Sequence, residues 1–400
     1  MRDSYLVFGR PQIEQTEIDE VVATLRSGWL GTGPKTAAFE ADFARYCEVP
    51  CAVAVSSCTA ALHLSLMSVG VGPGTGVVTS PLTFASTANV VFHRGAELFF
   101  IDIDPRTMNL AAEGLVRFLH GECDRSPGRR PRHRRSGVEV AAVLPVHFAG
   151  RPCPMEEITA VARNYAMAVV EDAAHAIEAR DRGRKVGSIG DLTCFSFYAT
   201  KNVTTGEGGM ITLADEELAA RLRTTALHGL SLDAWRRHQK GGALHYEVLA
   251  PGYKYNMTDV AASIGLHQLR RIDANLTRRA EIWARYDREL ADLPIALPPD
   301  AAPDTVHARH LYTILVDRER AGIDRDELRA RLHARNIGTG IHFVAVHLHE
   351  FYRKHLGYAP EDLPHATYVS DRTLSLPLAA NLSDRDVADV IEAVRDSLGS

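Results

Sequence analysis

Lysine is scarce in this 400-residue chain: Lys35, Lys185, Lys201, Lys240, Lys254 and Lys354 are its only ammonium side chains among 45 lysines and arginines. Guanidinium cannot replace lysine where a neutral amine must act, because it does not give up its proton. A lysine kept in so arginine-rich a chain is a candidate for amine chemistry. Long apolar runs are also missing, and none approaches the roughly 20 residues of a membrane helix. The start, Met1-Arg2-Asp3, lacks the apolar core of a secretion signal, which predicts a cytoplasmic protein. The six cysteines, at 47, 51, 58, 123, 153 and 194, show no metal-ligand spacing, so no metal site is expected. Several lie in apolar runs, where a reduced thiol behaves as a small hydrophobe. Nor is there an excess of positive charge: the net charge of −5 lacks the electrostatic footprint of a nucleic-acid binder.

What is present is an ordinary globular composition, 46% apolar and 24% charged, long enough for two domains of unequal size. Residues 13–27 predict an amphipathic helix with Ile13, Ile18, Val21, Val22 and Leu25 on one face. After the glycine-rich break at 28–34, helical and strand patterns alternate. Strand-like runs lie at 51–55, 76–79, 96–101, 139–146, 167–171, 193–197 and 209–213. Several are nearly continuous apolar stretches, as strands covered on both faces should be. The alternation predicts an α/β fold with a mostly parallel seven-stranded sheet. The stretch 121–137 (GECDRSPGRRPRHRRSG) has no periodicity and is expected as a solvated surface loop. A long helical pattern over 258–293 leads into strand-like runs at 309–316 and 341–344 and helices at 325–335 and 384–397. The expected division is a large domain over 1–257 and a linking helix with a smaller α+β domain over 258–400.

Two runs carry the chemistry. Val170-Glu171-Asp172-Ala173-Ala174-His175 ends an apolar strand in a carboxylate, and Phe195-Ser196-Phe197-Tyr198-Ala199-Thr200-Lys201 ends another in a lysine. Pyridoxal phosphate needs both: a lysine to bond its aldehyde and a carboxylate to keep its pyridine nitrogen protonated. Asp172 falls where ligands gather in open parallel sheets, and a buried carboxylate there needs a positive partner. Ser56-Ser57-Cys58-Thr59 joins a strand to a helix start, where backbone N–H groups favour a phosphate, although serine and threonine cap ordinary helices too. Phe84, in Pro81-Leu82-Thr83-Phe84-Ala85, is placed to stack on a ring or to fill the core. His175 is placed to hold the cofactor or to serve the packing. Ser196 is near enough to Lys201 to reach the same phosphate.

With these residues in hand, the chain resembles the DegT/DnrJ/EryC1/StrS sugar aminotransferases along nearly its whole length. The resemblance rests on SGWLGTGP at 27–34, VSSCTAALHLSL at 55–66, LPVHFAG at 144–150, VEDAAHAI at 170–177 and FSFYATKN at 195–202. It continues through GEGG at 206–209, PGYKYNMTD at 251–259 and IGTGIHF at 337–343. It implies the pyridoxal-phosphate type I (aspartate aminotransferase-like) fold, working as a homodimer with active sites at the subunit interface. By motif, Lys201 would bond the cofactor and Asp172 would meet its pyridine nitrogen. Phe84 would stack on the ring and His175 would lie against it. Cys58, Thr59 and Ser196 would line the phosphate site. Lys254 or Asn256, in the 251–256 loop, would reach the partner subunit's cofactor phosphate or the sugar nucleotide. Trp29, Thr32 and His342 would lie near substrate.

The forms PGYKYN and IGTGIHF are most like those of members that make UDP-4-amino-4-deoxy-L-arabinose. The implied reaction is transfer of an amino group from L-glutamate, leaving 2-oxoglutarate, to a nucleoside-diphospho-4-keto sugar carried on dTDP or UDP, with a pentose ahead of a hexose. A 3-keto hexose nucleotide is the alternative substrate, and a non-catalytic cofactor-binding regulator the alternative function. A sugar dehydratase of the same fold would carry histidine at the lysine position, so Lys201 argues for amino transfer.

Overall fold

The computed structural model describes residues 2–231 and 245–399, which leaves Lys240 outside the described residues. The seven expected strands lie in one sheet, numbered in chain order as β1 (Cys51–Val55), β2 (Thr75–Thr79), β3 (Glu97–Phe100), β6 (Glu139–Leu144), β7 (Ala168–Asp172) and two later ones, and two short strands that were not expected join them, β4 (Cys123–Asp124) and β5 (Arg132–His133). Between these come a small hairpin of β8 (Arg180–Asp181) and β9 (Arg184–Lys185), then the sheet strands β10 (Leu192–Ser196) and β11 (Gly209–Leu213). The main path runs β1-β11-β10-β7-β6-β2-β3. From β10 to β3 all neighbours are parallel, whereas β11 is antiparallel to both β1 and β10. All residues of β1, β10 and β11 are buried, which is why their sequences read as unbroken apolar runs rather than alternations. Helices cover both faces. Leu62, Leu64 and Leu66 of the helix Cys58–Ser68 pack in one core. Phe39 and Phe43, with Phe195 and Phe197, form another.

The arginine-rich stretch is more ordered than expected. β4 and β5 pair as a hairpin whose second strand continues onto β6 through Arg132 and Glu139. Arg134 fastens it, donating to the carbonyls of His120 (3.1 Å), Gly121 (2.6 Å) and Cys123 (2.9 Å), the unpaired carbonyls at a helix end. The tip, Arg125 to Arg129, is solvated as expected.

The long helix over 258–293 is two helices, Asp259–Arg270 and Ile272–Glu289. Arg271, at φ −107° and ψ 8°, breaks them apart while its side chain is drawn to the carbonyl of Gln12 (2.9 Å) and to Glu17. Leu266 and Leu269 belong to the core of Phe39, whereas Ile282, Trp283 and Tyr286 belong to that of the C-terminal layer. That layer holds an antiparallel sheet of β12 (Ile295–Ala296), β13 (Tyr312–Val316) and β14 (Thr373–Leu376), covered by the helices Arg325–Ala334 and Asp384–Leu398. The strand expected at 341–344 does not form. Thr373–Leu376 takes the place beside β13, and Gly340 makes only a bridge to Ser375.

The first helix, Gln15–Ser27, is where the expected packing inverts. Its buried residues are Glu17 and Thr24, while Ile13 just before it, Ile18 and Leu25 are 46%, 47% and 51% exposed. Glu17 turns inward because Arg271 and Gln268 (2.8 Å) satisfy it. Ile13, Ile18 and Leu25 therefore face away from this chain's own core, while Val21 and Val22 are half-buried.

Candidate active site

The carboxyl ends of β2, β6, β7 and β10 converge on a cavity of about 470 Å³. Lys201 enters it from the loop after β10, where its backbone N–H is held by the carbonyl of Tyr198 at 2.9 Å. Burial pulls the ammonium down to about 8, against the opposing influence of Cys58 and Asp172. Asp172, at the end of β7, is 5% exposed. Its Oδ2 accepts from the Thr87 hydroxyl (2.7 Å) and its Oδ1 from the Ala174 N–H (3.1 Å). Burial pushes this carboxyl above its ordinary range, opposed by those two bonds and by Lys201. Two hydrogen bonds leave acceptor capacity on the carboxylate, and no arginine lines the described cavity to neutralise it.

The turn after β1 is the candidate anion cradle. Ser57 caps the helix Cys58–Ser68 by accepting from the Ala60 N–H at 3.1 Å, and Thr59 lies exposed at the helix start. Gly209 runs so close beneath that a Cβ there would meet Ser57 C at 2.4 Å and Cys58 N at 2.6 Å. Cys58 is buried, and burial pushes its thiol well above the usual range, so it contributes packing rather than charge. Ser196 and Thr59 complete this end of the cavity. At its mouth Phe84 is 63% exposed, with its ring 6.1 Å from that of Phe343. His175 accepts the Ala149 N–H on Nδ1 at 3.2 Å and stays neutral, since burial and the nearby Lys201 push its pKa far down. His342 bonds the Ser375 hydroxyl through Nδ1 (2.8 Å), and burial lowers it to about 4. A carboxylate short of a cation, a helix-start cradle, an exposed ring and a near-neutral lysine together fit pyridoxal phosphate.

The other expected site residues lie elsewhere in the chain. The Asn256 amide donates to the Thr32 hydroxyl at 2.7 Å, and Trp29 Nε1 donates to the Thr32 carbonyl at 3.2 Å. These three form one cluster, with Lys254 exposed nearby, and none of the four lines the Lys201 cavity of this chain. Several cavity residues escaped sequence reasoning: Thr83, Ser86, His147, Tyr198, Thr200, Glu207 and Phe343. Thr87 also did, although Thr83 and Thr87 stand four apart and their hydroxyls meet at 2.7 Å beside Asp172. That spacing was the available signal.

Known proteins place this geometry. The chain is 48% identical over 396 residues to the spore coat polysaccharide biosynthesis protein SpsC of Bacillus subtilis, covering 99% of this chain and 97% of that one. Among solved structures, the aminotransferase TlmJ from Streptoalloteichus hindustanus is 35% identical over 99% of both chains, with a TM-score of 0.85. Spr1654 from Streptococcus pneumoniae, solved in its PMP-form, is 32% identical over 98% of this chain and 99% of that one, with a TM-score of 0.87. The fold is thus that of the type I pyridoxal-phosphate enzymes, its sheet mixed at the β1–β11 side. The family pattern spans residues 11–395, and the chain belongs to the DegT/DnrJ/EryC1/StrS aminotransferase family, as a pyridoxal-phosphate-dependent sugar aminotransferase.

Proposed function

We propose that the enzyme moves the amino group of L-glutamate to a nucleoside-diphospho-4-keto sugar, with a pentose ahead of a hexose and either dTDP or UDP as carrier. The observation that carries the site assignment is Lys201, half-buried and shifted to about 8, in the same cavity as the buried Asp172. The pentose preference rests on the runs at 251–256 and 337–343.

Pyridoxal phosphate, when bound, supplies the electron sink and carries the amino group between the two half-reactions. Asp172 would hold the pyridine nitrogen protonated, and Thr87 and the Ala174 N–H keep its carboxylate oriented. Ser57, Thr59 and Ser196 bind the phosphate at the helix start. Phe84, exposed at the cavity mouth, would cover one face of the ring and help exclude water. Lys201 would bond the cofactor aldehyde and, as a free amine, would carry a proton from the donor Cα; its lowered pKa suits it to accept and release that proton near neutral pH. His342 lies at the substrate side. The cluster of Trp29, Thr32, Lys254 and Asn256 serves the cavity of a second subunit in a homodimer. The outward apolar stripe of Ile13, Ile18 and Leu25 supports such a partner.

The test is an assay of 4-keto and 3-keto pentose and hexose nucleotides with glutamate, read by product mass, beside a Lys201→Ala variant. A single 4-amino pentose product from wild type and none from Lys201→Ala is expected. Multiple turnover by Lys201→Ala sinks the catalytic assignment, and a preferred hexose sinks the substrate.

A further inference from the structure

Lys201 reaches the cavity from a segment that its own backbone barely holds. Among the described residues, the backbone of 199–203 makes one hydrogen bond, from the Lys201 N–H to the Tyr198 carbonyl. Apart from the buried Val203, the tie comes from the next side chain. Asn202 donates its amide to both oxygens of Glu178 at 3.1 and 2.9 Å and to the Ala308 carbonyl at 3.1 Å. On its other side Oδ1 meets His310 Nδ1 at 3.0 Å. The amide cannot turn over, because a carboxylate paired to arginine only accepts. Glu178, 2% exposed, is so paired, with Arg279 on the helix Ile272–Glu289. Arg279 in turn donates from Nε to the Arg309 carbonyl at 3.1 Å.

We propose that Asn202 is a positioning residue for Lys201: its amide, fixed by Glu178 on one side and His310 on the other, sets where the Lys201 amine stands in the cavity. The coupling is covalent and short, from one residue to the next. An amide clamped to segments more than 20 residues before it and more than 100 after it leaves the neighbouring Cα little freedom. The helix Ile272–Glu289 carries Ile282, Trp283 and Tyr286 into the core of the C-terminal layer, so the clamp ties Lys201 to that layer as well as to its own sheet. Placement matters because a misplacement of about 1 Å can cost on the order of a hundredfold in rate. The charged and titratable groups that act on Lys201 are Cys58 and Asp172, with His175, His310 and His342 facing it. Removing the Asn202 amide deletes none of these, so a shift at Lys201 would report its position. The proposal rests on the reading of Lys201 as the amine that carries the proton.

The scarcity of lysine makes the test direct. In full-length, cofactor-free enzyme labelled with ¹³C-lysine, the Lys201 Cε resonance is assigned by its loss in Lys201→Ala and titrated from pH 6 to 11. Wild type should titrate near 8. Asn202→Ala should raise the midpoint by at least about one unit, as a loosened amine gains water. In the cofactor-loaded enzyme, the single-turnover rate with glutamate should fall about tenfold or more. Asn202→Asp sets two carboxylates face to face and should be at least as slow. Adding Glu178→Gln to it reverses donor and acceptor across the same contact, and should return the rate to within about threefold of wild type. If a folded Asn202→Ala keeps either the wild-type midpoint or the wild-type rate, or if the double variant is no faster than Asn202→Asp, the amide does not position Lys201. Should Asn202→Ala not fold, Glu178→Leu with Arg279→Met removes the ion pair without leaving an unpaired charge, and the same midpoint and rate decide. Multiple turnover by Lys201→Ala would strike the reading of the site instead, whereas the midpoint is measured with neither cofactor nor substrate present.

Discussion

At Lys201 the decisive quantity is the fraction of neutral amine. With a pKa of about 8, roughly a tenth of the side chain is uncharged at pH 7, against on the order of a few parts in ten thousand for an ordinary lysine. Only the neutral amine attacks an aldehyde, so the sign is clear: rebinding of pyridoxal phosphate to cofactor-free enzyme should quicken as pH rises to about 8 and then level off. Stopped-flow absorbance from pH 6 to 10 checks this, and a rate still climbing tenfold per unit above pH 9 would show that burial does not depress the amine. The partners of Lys201 were partly legible. Asp172 stood out because it ends an apolar run and Ser196 because it lies five residues before Lys201; Thr87 was signalled only by its spacing from Thr83, and nothing local marks the His147 ring as meeting a carboxylate.

Among the elements, one tight constraint lies where β11 passes under the Ser57–Cys58 turn. The missing side chain of Gly209 is what allows Ser57 and Cys58 to sit there. Gly209→Ala should cost about 1–3 kcal/mol of stability, since the atoms in the way are backbone, and should weaken cofactor binding as the turn is pushed outward. Urea unfolding with and without pyridoxal phosphate measures both; an unchanged cofactor affinity would show that the turn does not form the phosphate cradle. Strand periodicity was readable for all seven principal strands because burial on both faces writes a continuous apolar run. β14 was not readable, because Thr373-Leu374-Ser375-Leu376 is short and its two hydroxyl residues are buried only by the neighbours it meets. The break at Arg271 escaped for a related reason: it is set by Gln12 and Glu17, more than 250 residues earlier.

For the whole molecule, the question is where Trp29, Thr32 and Asn256 act, with Lys254 on the same loop as Asn256, since none of the four lines the Lys201 cavity of their own chain. If they complete the cavity of a partner, two dead variants should rescue each other. Co-refolding Lys201→Ala with Asn256→Ala should return about a quarter of wild-type activity, because half of randomly formed pairs are mixed and each mixed pair holds one intact site. Mixtures no more active than the variants alone would place the cluster outside the reaction. The exposed Ile18 and Leu25 belong to the same question, because an apolar helix face that a chain does not bury is a face available to another.

The sequence alone determined the α/β alternation, the order of the strands along the chain and a lysine and a carboxylate whose chemistry suits pyridoxal phosphate, because those features are written in local periodicity and in residue chemistry. Tertiary structure alone decided that Glu17 rather than Ile18 faces inward, that the arginine-rich stretch folds as a hairpin, and that Asn202 hands a fixed orientation to His310. Each of these depends on a partner distant in sequence. A charge is buried only where its counter-charge arrives, a strand forms only where an edge is free, and an amide is oriented only by the groups on both its sides.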